Sequence, residues 1–333
     1  MQFLHFALAS AALAFPFHLC AQTAQDRAAQ AAADAWPSKP VQVVFPFAPG
    51  GSSETEGRMY LQKMTESTGK TFITDFRPGA GGTIATSFVA KAPADGYTLM
   101  VAPTAIGINP AFYKSLPYDP VKDVAPVSLM SKRPSLLVVH PSLPIATPAE
   151  YIAWVRQNPG KLNYGTTGMG GSSHIAGAWL HSLTKSEVQF VHYKGTGPLV
   201  PDMLANRINA TTNTALSLIP HVKAGKMRLI GVTTAQRSPT FPDVPSLSEA
   251  APGYDYSSWF GITTTGGTPV PLLNRIRAEL VKAGNAPDVH KKLTGEGIIM
   301  VMNTPAEFSQ FLNAEMARWK KLVEETGMTA GDG

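Results

Sequence analysis

Residues 41–58, VQVVFPFAPGGSSETEGR, constrain the fold more than any other stretch. The apolar run Val41, Val43, Val44 and Phe45 reads as a buried strand. It closes on Pro46 and Pro49, turns at Gly50-Gly51 and meets a helix start at Ser52-Ser53, with Ser53 and Glu56 at capping-box spacing. Glycine lets the main chain approach a ligand closely, and the first N–H groups of the helix then point at it, so such a turn can hold an anion. Gly50, Gly51, Ser52 and Ser53 are therefore candidate binding residues, with an ordinary strand-to-helix turn as the alternative. Glu54 and Glu56 oppose an anion by putting negative charge on the positive helix end, and Arg58 offsets only part of that.

The same rhythm continues. A strand at 72–76 leads into RPGAGGTIATSFVAKAP, a second glycine turn feeding a helix, and a third strand follows at 97–101. Short strands alternating with helices indicate an α/β fold with a parallel sheet. A short helix is expected over 109–116. Residues 126–140 are extended without a helical period and read as a passage from one domain to another. Thr147-Pro148-Ala149-Glu150 opens a helix with a cap, a proline at the first position and a glutamate three residues on, and Thr304-Pro305-Ala306-Glu307 repeats the device. Between them the pattern predicts strands at 162–166, 188–193, 208–213 and 227–232. Helices are predicted at about 174–183, through Met203-Leu204 and near 216–224. Residues 254–265 form a second helix-free stretch, read as the return crossing. A helix on Leu272, Leu273, Ile276 and Leu280, a strand at 298–302 and a terminal helix carrying Phe308, Leu312 and Trp319 on one face complete the chain. Two crossings make the first domain discontinuous, 37–141 plus 264–333, with 142–263 as the second. Glycine turns from both then face each other across a cleft.

The 333 residues carry a net charge of +5 from scattered Lys and Arg, with no basic stripe, which argues against nucleic-acid binding. Residues 3–20 are the one sizeable apolar stretch and, interrupted by Pro16 and His18, read as a signal-peptide core more than a spanning helix. Residues 1–35 are then signal peptide and flexible leader, cleavable after Ala21, Ala24 or Ala35, and the chain is expected to be exported to the periplasm. The single cysteine, Cys20, lies in that segment and follows Leu19, a poor lipoprotein context. Without it the mature chain has no disulfide and no thiolate metal site.

Several motifs fail on inspection. Gly69-Lys70-Thr71 lacks the first glycine of a phosphate-binding loop, since Met64 stands there, and Gly79-Ala80-Gly81-Gly82 lacks the third glycine and the acid of a dinucleotide fingerprint. Ser172-Ser173-His174 does not match a nucleophile elbow, and adjacent residues at a helix start cannot form the serine–histidine pair. No histidine pair has i, i+4 metal-ligand spacing, so no metal site, cofactor or catalytic residue is expected. Ser172, Ser173 and His174 better suit a carboxylate, through hydroxyls, N–H groups and a ring donor, or else a plain helix cap. Lys194, in HYKGTGP, supplies charge or is a surface residue. Phe47 and Trp259 suit either the wall of an apolar ligand body or core.

Taken together, PFAPGGSSE with Arg58, RPGAGGTIA, AKAPADGYTLM, NPAFYKSLPYDPVKDVAPVS, HYKGTGPLVPDML, KAGKMRLIGVTT, DVPSLSEA and SWFGI resemble the periplasmic substrate-binding proteins of the tripartite tricarboxylate transporter family, the Bug or TctC type. The resemblance spans nearly all of the mature chain. It implies a two-domain Venus-flytrap fold, type II-like, with two interdomain crossings and no enzymatic activity. It implies small carboxylate ligands: di- or tricarboxylates, acidic amino acids or aromatic acids. One carboxylate would be held by main-chain groups of the first turn, with Ala80, Gly81 and Thr104, while the second domain brings Thr167, Gly170, Ser172, Ser173 and His174. Partners would be two integral-membrane transporter subunits, with the receptor itself a monomer. The family often carries Asp where Glu54 and Asn213 stand; Asn213 removes a countercharge for an amine and favours a ligand without one. A serine hydrolase using Ser172 or Ser173, and a sensor presenting the ligand to a receptor, are the rival readings.

Overall fold

The computed structural model describes residues 16–327, with side chains from residue 24 onwards. The apolar run read as a signal-peptide core lies outside the described residues as far as residue 15. Residues 16–35, expected as leader, are a helix, α1 (Pro16–Ala35), whose last turn buries Ala33 beside Trp36.

The first lobe is built as its apolar pattern dictates. β1 (Val41–Phe45) is buried nearly throughout and lies between β2 (Phe72–Phe76) and β3 (Thr98–Pro103), all parallel. The connecting helices α2 (Ser52–Thr68) and α3 (Thr83–Ala90) cover the sheet, and α4 (Ala105–Phe112) leaves directly from the end of β3, four residues earlier than the sequence suggests. Next comes β4 (Val124–Val139), sixteen residues long. The second lobe runs through α5 (Pro148–Gln157), β5 (Asn163–Thr166), α6 (Ser172–Thr184), β6 (Gln189–His192), α7 (Thr196–Leu204), β7 (Ala210–Thr214), α8 (Ala215–Lys223) and β8 (Arg228–Val232). β9 (Ser257–Thr265) returns to the first lobe, followed by α9 (Val270–Gly284), α10 (Pro287–Gly295), β10 (Ile299–Met300) and α11 (Pro305–Thr326). The sequence pattern gives no sign of α10, which buries only Val289 and Leu293.

The two stretches read as crossings are β4 and β9, paired antiparallel. Strand order is β2-β1-β3-β9-β4-β7-β5-β6, with β8 and β10 also beside β4. β4 changes partners midway: up to Pro134 it pairs with β9, and from Ser135 it pairs with β7 and β8. One strand thus belongs to both sheets. α11 also bridges the cores, since Phe308 packs edge-on to Trp259 at 5.7 Å and Trp319 packs edge-on to Trp179 at 5.6 Å.

Thr147 and Thr304 cap α5 and α11 with complete capping boxes, as expected. The box expected from Ser53 and Glu56 does not form. Gly51 is the N-cap of α2, and Glu56 is fully buried against Arg133 and Ser131 of β4. Arg133 also lies over the Phe260 ring at 4.4 Å. Glu54 instead accepts the Gly50 N–H at 2.7 Å and pairs with Arg58. Removing one partner of a buried ion pair leaves a desolvated charge, which costs about 3–5 kcal/mol. Arg133→Met should lower stability to urea by that amount, and adding Glu56→Leu should recover most of the loss. An unchanged midpoint in Arg133→Met would refute this.

Candidate functional site

A narrow cleft with about 470 Å3 of non-atom space, open solvent included, lies between the lobes, and ten of its fourteen lining residues are Ser or Thr. The wall is made of helix starts. Gly51, Ser52 and Ser53 open α2; Ser172 and Ser173 open α6; Thr196 opens α7; and Thr214 is the N-cap of α8. None of these four helices has a side-chain cap bond, which is also true of α3, α4, α9 and α10, whereas α5 and α11 have full boxes. The first N–H groups of a helix have no intrahelical acceptor, and their dipoles place positive potential where they point. Four such ends around one cavity favour a negative guest. No lining residue is ionisable; Asn213 and the apolar faces of Phe47 and Phe260 complete the wall.

Glycine lets the lobes meet. Gly81, at φ +58°, packs so closely on the 168–171 turn that a Cβ would lie 2.6 Å from Met169 O. Across the same contact Tyr113 Oη donates to Met169 O at 3.0 Å. On the other rim Ala48 N donates to Lys194 O at 2.7 Å, and Gly197 rests on the Pro49 carbonyl. The Ser52 hydroxyl joins those of Thr214 and Ser217 across the gap.

Of the residues singled out in the sequence, Phe47, Gly51, Ser52, Ser53, Thr167, Ser172, Ser173 and Asn213 line the cavity. Gly50, Ala80, Gly81, Thr104, Gly170, His174 and Lys194 do not. Thr104 is spent on β9, accepting Trp259 N at 2.7 Å and donating to Trp259 O at 3.1 Å. The side chain of Trp259 is core. Lys194 is exposed and joins the interlobe contact through its carbonyl alone. The His174 ring sits behind the turn, with Nδ1 accepting Gly170 N–H at 3.2 Å and Phe190 and His192 packed edge-on. Burial, then the neighbouring His192, lowers its pKa to about 4. The ring expected to donate to a carboxylate therefore acts as a neutral acceptor that shapes the turn.

Asn213 is already engaged, accepting from Thr196 Oγ1 at 3.0 Å and donating to Thr211 Oγ1 at 2.8 Å. Ser173 Oγ accepts Thr167 N–H at 2.7 Å. Sequence reasoning missed Ser135, Thr196, Thr212, Thr214, Ser258 and Phe260. Thr196 follows Gly195 at a helix start, the same signal that marked Ser52; Ser135 and Ser258 lie in the crossings and have no local signature.

Two α/β lobes joined by two crossing strands, with a donor-lined cleft between them, are the architecture of a periplasmic solute-binding protein. Residues 57–328 match the family described as the tripartite tricarboxylate transporter family receptor, and the chain belongs to that family. Protein BugT of Bordetella pertussis is 30% identical over 305 residues, covering 90% of this chain and 93% of its own. Among solved structures, R. palustris Rpa4515 with adipate superposes with a TM-score of 0.84 at 33% identity, covering 88% of this chain and 99% of that one. MatC from Rhodopseudomonas palustris with bound malate gives 0.83 at 30% identity, covering 86% and 100%.

Gly197 lies in an ordinary helical conformation, so Gly197→Ala adds no backbone strain; its methyl meets only Pro49 and Gly50 of the opposite lobe. In the open protein this variant should be as stable as the parent, or up to about 1 kcal/mol more so. With whichever ligand most stabilises the parent, small-angle scattering should show incomplete closure, and affinity should fall tenfold or more. Closure to the parental radius would contradict the contact. Stability should also fall on acidification. His174 and His181, lowered by burial to about 4 and about 3, stay neutral in the fold while the unfolded chain takes up protons below pH 6.5. Between pH 6.5 and 4 each costs up to about 1.4 kcal/mol per pH unit, and neither costs anything above 6.5. Ring NMR signals of both should not titrate above pH 5.

Proposed function

We propose that this receptor captures a small carboxylate, a di- or tricarboxylate or an aromatic acid, by closing its lobes on it in the periplasm and delivering it to two integral-membrane transporter subunits. The observation that carries the reading is the convergence of four helix N-termini without side-chain caps on a cavity that has no ionisable side chain. Neutral donors hold an anion without a permanent countercharge, and low polarisability around them strengthens each bond. Because both lobes contribute, a ligand spanning them favours the closed state by its differential affinity. Relatives solved with adipate and malate support the ligand class. Neither serine of the rival hydrolase reading is hydrogen-bonded to a histidine ring: His174 Nδ1 faces Gly170, and Ser173 Oγ is engaged with Thr167. Among the described residues no helix is long and apolar enough to cross a membrane.

A thermal-shift panel of aliphatic and aromatic mono-, di- and tricarboxylates, with matched amines and neutral amides, tests the reading. At least one acid should raise the melting temperature in proportion to the logarithm of its concentration, and the uncharged isosteres should not. Stabilisation by amines or amides alone would overturn it.

A further inference from the structure

The lobes touch on both flanks of the cleft, and the two flanks are built differently. On one, the contacts are main chain and hydroxyl. Ala48 N donates to Lys194 O at 2.7 Å, Gly197 rests on the Pro49 carbonyl, and the Ser52 hydroxyl meets those of Thr214 and Ser217. The half-buried Leu216 adds an apolar contact to the first-lobe core. Water replaces hydrogen bonds of this kind at small net cost when two surfaces part.

The other flank is apolar and deeply buried. α4 and α11 belong to the first lobe by chain order, yet each sends side chains into both cores. Ile106 of α4 and Phe308 and Leu312 of α11 pack in a first-lobe core with Trp259. Ile108 and Phe112 of α4 and Trp319 of α11 are buried in the second-lobe core with Ile175 and Trp179 of α6. Ile106 and Ile108 lie on opposite faces of α4, which is therefore a layer shared by the two lobes. Glu315 ties the halves together, its Oε2 accepting Trp259 Nε1 at 3.4 Å and Trp319 Nε1 at 3.3 Å. Beyond the end of α4, Tyr113 Oη donates to Met169 O at 3.0 Å. Four residues earlier Asn109, with its amide nitrogen turned to the carbonyl, donates to Gly170 O at 3.1 Å. Parting this flank would expose Ile108, Phe112 and Trp319, a cost that grows with apolar area and that water does not offset.

We infer that the cleft opens along one rim only. The rim between α2 and α7 is the gate through which the ligand passes, and the α4–α11 flank is a joint that stays packed in the open protein. The lobes swing about an axis beside α4 and α11, and the gate, on the far side of the cleft from that axis, moves most. Gly197 and Lys194 are then gate residues, and Asn109 and Tyr113 are positioning residues that hold the second lobe on the axis. This assignment rests on capture by closure and adds where the cleft opens.

Spin-label distances in the ligand-free full chain, in a Cys20→Ser background, test it. One pair, Thr55→Cys with Lys194→Cys, spans the gate; another, Ser115→Cys with Gln189→Cys, spans the joint; all four positions are exposed. The gate pair should give a broad distribution with a population at longer distance, and the joint pair a single narrow one. Gly197→Ala should shift the gate pair further towards long distance and leave the joint pair unmoved. Tyr113→Phe gives an independent reading, because a bond present in the open and closed protein alike contributes to stability and not to affinity. Without ligand this variant should melt about 1–3 °C below the parent. Its affinity for whichever member of the carboxylate, amine and amide panel most stabilises the parent should be unchanged. Binding about tenfold weaker, with ligand-free melting unaltered, would show Tyr113 engaging only on closure and would overturn the joint. A joint pair that lengthens together with the gate pair would do the same, and either result leaves capture by closure intact. Both pairs narrow, and unmoved by every member of the panel, would overturn the closure reading and this inference together.

Discussion

The antiparallel pairing of β4 with β9 is the constraint on which the rest of the molecule depends. β4 is hydrogen-bonded along its first part to one sheet and along its last part to another, so both lobes hang on one continuous strand. Glu56 ties α2 to this strand through the buried pair with Arg133, one residue before the sheet partners change. The helix whose first turn faces the cleft is thereby fixed to the point where the lobes meet. In a low-dielectric interior such a pair adds positioning more surely than net stability, and here it fixes a helix end against a hinge.

The cleft follows a consistent electrostatic plan. Charge at the helix starts is handled away from the cavity: Glu54 is taken by Gly50 N–H and Arg58, and Glu56 by Arg133 and Ser131. What remains facing inward, beside the rings of Phe47 and Phe260, is the helix starts, hydroxyls and the Asn213 amide. A wall of this kind holds an anion by many neutral bonds and is not committed to one countercharge position. Selectivity then depends on which hydroxyls are unengaged and where they sit.

Glycine has a specific part at the two rims. Gly81 and Gly197 lie where main chain from one lobe rests on main chain from the other, and a methyl group at either position would meet backbone that cannot turn aside. The closed arrangement therefore depends on the absence of two side chains as much as on any bond across the gap.

Much of this was legible in the chain itself. The apolar runs at 41–45 and 72–76, the proline-glutamate caps at Thr147 and Thr304, and the helix-free stretches that became β4 and β9 are local patterns whose physics acts within a few residues. Glycine followed by serine at a helix start marked Ser52, Ser53 and Ser172 for the same reason. α10 escaped because two buried residues make no period, and the Ser53–Glu56 box failed because a buried arginine far along the chain competed for the glutamate. His174 and Thr104 were credited with ligand contact because sequence shows which groups are available and is silent on which are already engaged. That Ser135 and Ser258 face the cavity was decided only when two distant strands paired in register, since a serine on a strand carries no local sign of which sheet face it occupies. Local propensity and periodicity set the elements, and long-range packing decided which of their polar groups were left free to bind.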